Sequence, residues 1–172
     1  MNEELNESDR DRLEGNICDP SFALNQVILG RHLFKRVDYQ GLNPFQKQAY
    51  NRQKASAVLA DFGFETQIAE ENPGGADLIA YHQSGELFNV RVRPRPGFWR
   101  EHLNRRIVIC CRGEDESTWY LYPHDTLFSK ASTVSEIEAT EAWITTGKYH
   151  FPRRRLSAWL LELLEPYRLQ TS

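Results

Sequence analysis

Hydrophobic and polar positions change period along this chain, and each change marks an element. Over "NPFQKQAYNRQKASAVLADFGF" (43–64), Phe45, Ala49, Ala55, Leu59 and Phe62 recur at spacings of three and four if Arg52 fills the gap. The pattern predicts an amphipathic helix. Asn43 suits its N-cap, Pro44 its first turn, Gln46 a capping box, and Gly63 a left-handed C-cap. After Gly63 the period falls to two. "ETQIAE" (65–70), "ADLIAY" (76–81) and "ELFNVRVR" (86–93) read as three strands, separated by the loop "ENPGG" and the turn "HQSG". On the third strand Phe88, Val90 and Val92 share one face, while Leu87, Asn89, Arg91 and Arg93 share the other.

Proline breaks "PRPGFWREHLNR" (94–105), which predicts at most one short helix from Gly97. "RIVICCR" (106–112) and "STWYLYP" (117–123) read as two more strands around the charged turn "GEDE". Helical character then returns. "SEIEATEAWITTG" (135–147) predicts a weak helix ended by glycine. "FPRRRLSAWLLELLEPY" (151–167) predicts a strong one opened by Pro152, with Leu156, Trp159, Leu160, Leu163 and Leu164 as its apolar face. Upstream, residues 1–18 are acidic and aperiodic and read as a flexible tail. Residues 19–42 hold an apolar run that fits either a helix capped by Asp19 and Pro20 or a short strand. The expectation is an α/β or α+β chain: one domain over 19–172 with a mixed sheet flanked by helices, a core over about 44–122, and a helical extension over about 123–172.

Composition narrows the class. The 172 residues are 40% hydrophobic and 12% aromatic, as in globular proteins. Three cysteines, Cys18, Cys110 and Cys111, form neither a disulfide framework nor a metal-ligand spacing. With a polar acidic N-terminus and no apolar run of membrane-spanning length, the expectation is a cytoplasmic protein with no membrane partner. The five histidines lack metal spacing. His124-Asp125 reads as a turn or helix start, with Asp125 as a cap.

Charge changes the picture locally. The formal net charge is -3, yet between residues 91 and 106 Arg91, Arg93, Arg95, Arg100, Arg105 and Arg106 face only Glu101. Trp99 and Phe98 lie among them, and Arg153, Arg154 and Arg155 form a second group. Guanidinium forks match phosphate geometry and aromatic rings stack on unpaired bases, so DNA or RNA is one candidate partner. Solvated arginines paired with the chain's acids, with Trp99 in the core, or a protein partner, are the others. Arg52, inside an apolar stripe, either snorkels outward or points into a polar site.

The helix ending "LADFGF", the Gly-rich entry "GGADLIAY" and the hairpin into "LFNVRVRPR" together resemble the core of the PD-(D/E)xK nuclease superfamily, which includes restriction endonucleases and Holliday-junction resolvases. The resemblance covers about residues 44–122. It implies a restriction-endonuclease-like sheet and a Mg²⁺ site built from an acid on the second strand and an acid-x-lysine triplet on the third. Carried onto this chain, the acid falls on Asp77, the triplet on Arg91 and Arg93, and a helix glutamate near Arg52. Three cations thus stand where the family has a carboxylate, a lysine and a second carboxylate. Guanidinium groups repel a divalent ion and cannot act as bases. The expectation is therefore a nuclease-like domain without a cofactor, binding nucleic acid or another phosphate-rich ligand through Arg52, Arg91, Arg93, Arg95, Trp99, Arg100, Arg105 and Arg106. Two alternatives stand beside it. One is a Mg²⁺-dependent endonuclease using Asp77 as metal ligand, Arg93 as charge stabiliser, and an acid displaced to Glu70, Glu71 or Glu86. The other is a protein-interaction scaffold in which Asp77 and Arg91 form an internal ion pair.

Overall fold

The computed structural model describes residues 36–69, 75–115, 117–152 and 155–170. The tail 1–18, the run 19–35, and Glu70, Glu71, Arg153 and Arg154 lie outside them. Residues 43–172 cluster as one compact unit. Its elements are α1 (Pro44–Ala60), β1 (Phe64–Ile68), β2 (Leu78–His82), β3 (Leu87–Arg93), β4 (Gly97–Trp99), β5 (Ile107–Arg112), β6 (Thr118–Pro123), α2 (His124–Val134), α3 (Glu141–Thr146), β7 (Lys148–His150), α4 (Ala158–Leu164) and β8 (Arg168–Gln170). The fold is α+β. A six-stranded mixed sheet runs in the order β1-β2-β3-β5-β6-β8, and β4 and β7 make a separate two-stranded ribbon. Neighbours are antiparallel except β3 and β5, which are parallel.

Helix α1 starts as its caps require. The Asn43 side chain accepts from the Gln46 backbone at 2.9 Å, and Gln46 Oε1 accepts from the Asn43 backbone at 3.0 Å. Its buried stripe is narrower than the sequence pattern, however. Ala55, Val58 and Leu59 are buried, whereas Phe45 is 83% exposed. The first half of α1 therefore carries its apolar residues outside the core. The buried half packs on one sheet face, against Leu78, Ala80, Val90, Val92, Val108 and Cys110.

The other face is covered unevenly. Over β5 and β6, Ile109, Cys111, Tyr120 and Tyr122 are buried with α2, α4 and the β4–β7 ribbon. Over β1 to β3 the same face carries Glu65, Gln67, Tyr81 and Leu87, all exposed. Arg91 and Arg93 pair across to Ile109 and Cys111, so they stand on the border between covered and open sheet.

Beyond residue 94 the chain departs from its pattern in several places. Gly97–Trp99 is a strand, because it pairs with Lys148–His150, and the one short helix of this segment is a 3-10 turn at Arg100–His102. Gly97 is required there: a Cβ would sit 2.8 Å from the Tyr149 carbonyl oxygen. The buried Tyr122 hydroxyl locks the strand, donating to Gly97 O at 2.9 Å and accepting from Gly97 N at 3.2 Å. The last helix begins at Ala158, after Ser157, and not at Pro152; Arg155 precedes it with φ 62°. Arg168–Gln170 then returns as the sheet's final strand against β6.

Candidate anion-binding cleft

Asp77 lies just before β2, opposite Arg91, and is 4% exposed. Its two oxygens are already engaged. Oδ2 accepts from the Val92 backbone N–H at 2.8 Å, and Oδ1 accepts from Arg91 Nη1 at 3.1 Å and Gln48 Nε2 at 3.4 Å. Arg91 and Asp77 thus form a largely buried ion pair. Such a carboxylate has its strongest acceptor directions spent on a cation and a backbone donor.

Arg93 stands two residues further on the same face and is differently placed. Its guanidinium lies 4.8 Å from the Trp99 ring centroid, a cation–π distance. Its Nη2 also lies at a long 3.5 Å from His102 Nε2. Among the described residues no carboxylate comes within ion-pair distance of it, and its buried Nε has no acceptor. Burial, and then the neighbouring Arg91, push the Arg93 pKa down to about 10. Burial, and then Arg93, likewise push His102 down to about 4, so this ring is neutral at pH 7.

Arg91, Arg93 and Arg95 form one wall of a cleft of about 420 Å³, and Lys148 and His150 on the ribbon form the other. Among the described residues, Glu101 is the single acid lining it. Lys148 and His150 arrive through pairing of β7 with β4, Lys148 opposite Trp99 and His150 opposite Gly97. Nothing in their local sequence separates them from other surface residues; only the register of the ribbon brings them in. The His150 pKa is lowered by burial and by Arg95, Arg93 and Lys148.

Arg100, Arg105 and Arg106 of the arginine-rich segment do not line this cleft. Trp99 lines it but is 3% exposed, packed against His102 and His150 with Arg93 over its ring. It has no open face for a base. Arg100 turns away, donating to the Trp143 carbonyl at 2.5 Å and lying over the Trp143 ring. Arg105 and Arg106 are exposed around a turn where Asn104 and Arg106 both have positive φ. Arg52 stays on α1, its buried Nε without an acceptor among the described residues.

Magnesium does not fit the site as the described residues build it. It is usually held by one or two carboxylates with free oxygens. Among the described residues Asp77 is the one carboxylate beside Arg91, both its oxygens are engaged, and no group of three or more His, Cys, Asp or Glu side chains could hold a metal ion. Glu86 is at the opposite end of β3, hydrogen-bonded to Ser84 Oγ at 2.7 Å. Five residues of strand put it about 17 Å from Arg91.

Two further sets of reactive side chains are structural. His124 is fully buried; Nε2 accepts from the Trp99 backbone at 3.0 Å and Nδ1 donates to Asp125 Oδ1 at 2.9 Å. With both nitrogens committed it has no free lone pair for base catalysis. Asp125 does not cap its own helix: its Oδ2 accepts from the Asn104 backbone at 2.9 Å. Cys110 and Cys111 are buried free thiols on opposite faces of β5, with burial pushing Cys110 up to about 12.

No protein-family model matches the chain, and no curated protein matches it. No helix among the described residues is long and apolar enough to cross a membrane.

Proposed function

We propose that this protein binds nucleic acid through its phosphates, in the cleft between the end of β3 and the β4–β7 ribbon. One observation carries the reading: Arg93 is a half-buried guanidinium with no carboxylate partner among the described residues, and it opens onto a cleft shared with Arg95 and Lys148. A buried charge left unpaired is costly, and a bound anion removes that cost. Arg91 is neutralised by Asp77, so its part is to hold the wall in shape while Arg93, Arg95 and Lys148 meet the ligand. Phosphate suits them, since a guanidinium fork reaches two of its oxygens at once.

The likeness to a nuclease core extends this reading. Asp77 and Arg91 stand opposite one another at the β2–β3 pairing, where the PD-(D/E)xK pattern has its acids. On that view the cleft is a metal site turned into an anion site, and the protein binds without cutting.

A salt titration of binding to labelled 20-nucleotide DNA and RNA tests the proposal. The logarithm of affinity should fall linearly with the logarithm of salt concentration. Arg93→Ala and Lys148→Ala should each weaken binding and flatten the slope by about 0.7 to 0.9 for every phosphate that is no longer neutralised. Absent binding, or a slope indifferent to both changes, would favour a scaffold held together by the Asp77–Arg91 pair. Plasmid nicking with Mg²⁺ or Mn²⁺ that disappears in Asp77→Asn would establish an endonuclease instead.

A further inference from the structure

The sheet face leading into the cleft carries its own chemistry. Side chains alternate along β3, so Leu87, Asn89, Arg91 and Arg93 make one row, with neighbours about 7 Å apart. Tyr81 on β2 lies directly opposite Leu87, on the same face. Both are exposed, Tyr81 by 49% and Leu87 by 60%. An aromatic ring and an apolar side chain therefore lie in the open, about 13 Å along the strand from Arg91. Over β5 and β6 the same face is buried beneath helices and the ribbon; over β2 and β3 it is exposed at Tyr81 and Leu87 and half-buried at Ile79, Asn89 and Arg91.

We infer that the ligand is a single strand, laid along β3 with its phosphates toward Arg93 and a base stacked on Tyr81. The inference rests on the phosphate-binding reading above and adds the ligand's form. An exposed aromatic on an open sheet next to a cationic cleft suits unpaired bases, whose π-faces are free. In a duplex those faces are closed by stacking. Phosphate contact concentrates at the Arg93 end of the row, since Glu65, the Cα partner of Tyr81 on β1, is an acid at the other end. Tyr81 also takes the role that the buried Trp99 cannot fill.

The full chain should be titrated, by fluorescence anisotropy, with a labelled 12-nucleotide oligothymidine and with a blunt duplex of equal length. Three variants are compared: Tyr81→Phe, which keeps the ring, Tyr81→Leu, which removes it from an exposed strand position, and Arg93→Ala. Single-strand affinity should exceed duplex affinity about tenfold. Tyr81→Leu should lose about tenfold for the single strand with an unchanged salt slope, and Tyr81→Phe should keep wild-type affinity. Equal affinity for the two ligands, or no effect of Tyr81→Leu, overturns the single-strand inference even where Arg93→Ala still flattens the salt slope. No effect of Arg93→Ala overturns the cleft reading beneath it.

Discussion

The two faces of the sheet at β3 differ in what covers them. Val90 and Val92 meet α1, and with Leu59, Ala55 and Leu78 they form a closed apolar layer. One residue away, Arg91 and Arg93 look out where cover by the ribbon stops and open sheet begins. The same strand thus serves stability on one side and keeps charge available on the other. A face fully covered by a helix excludes any cation without a partner, since desolvation of the charge is too costly. A face covered only in part lets the arginine stems pack while their heads stay within reach of a ligand.

The sharpest way to break this contrast is to damage the closed face. Leu59→Ala removes a fully buried side chain and should cost about 3 kcal/mol. That corresponds to a melting-temperature drop of about 9 °C by calorimetry. Nucleic-acid affinity, measured well below the transition, should not change. A parallel loss of affinity would mean that the faces are coupled.

Next in size is the border itself. Asp77→Ala removes the counter-ion of Arg91 and the acceptor for the Val92 N–H, and should cost about 2 kcal/mol in urea unfolding. Freed of its acid, Arg91 becomes available to a ligand, so binding by this variant should be retained or tightened. On the open face the signs reverse. Arg93→Met removes a charge that has no carboxylate partner among the described residues, so the melting temperature should not fall while affinity drops about tenfold. A clear destabilisation by Arg93→Met would show that the guanidinium serves the fold and not a ligand.

The smallest effect is in pH. The folded-state pKa of His102 is depressed to about 4, below the 6.5 of the unfolded chain. Between these values the unfolded state binds more protons, so stability falls as pH drops from 6.5 toward 4. Burial of His124 acts in the same direction. In His102→Gln, thermal melts at pH 7 and pH 5 should show a smaller acid-induced loss than wild type.

How much of this was legible in the sequence depends on the distance over which each feature is specified. The capping box of Asn43 and Gln46, the alternation along 87–93 and the turn at 82–85 are local, set within a few residues by backbone sterics and hydrogen bonding. All three stand where the pattern put them. Arg91 and Arg93 were identifiable as a charged face by the same alternation. Trp99 and Arg100 were not separable from their neighbours, because ring burial under Arg93 and the turn toward Trp143 arise from packing across the fold.

By itself, the sequence determined the helix, the three-strand meander and the side of β3 on which the arginines lie, since periods of 3.6 and 2 are properties of the backbone. Tertiary structure alone decided that Asp77 is spent on Arg91, that Lys148 and His150 close the cleft, and that Tyr81 remains open. Those depend on strand register and on where the covering layer ends, and both are settled by packing between residues far apart in the chain.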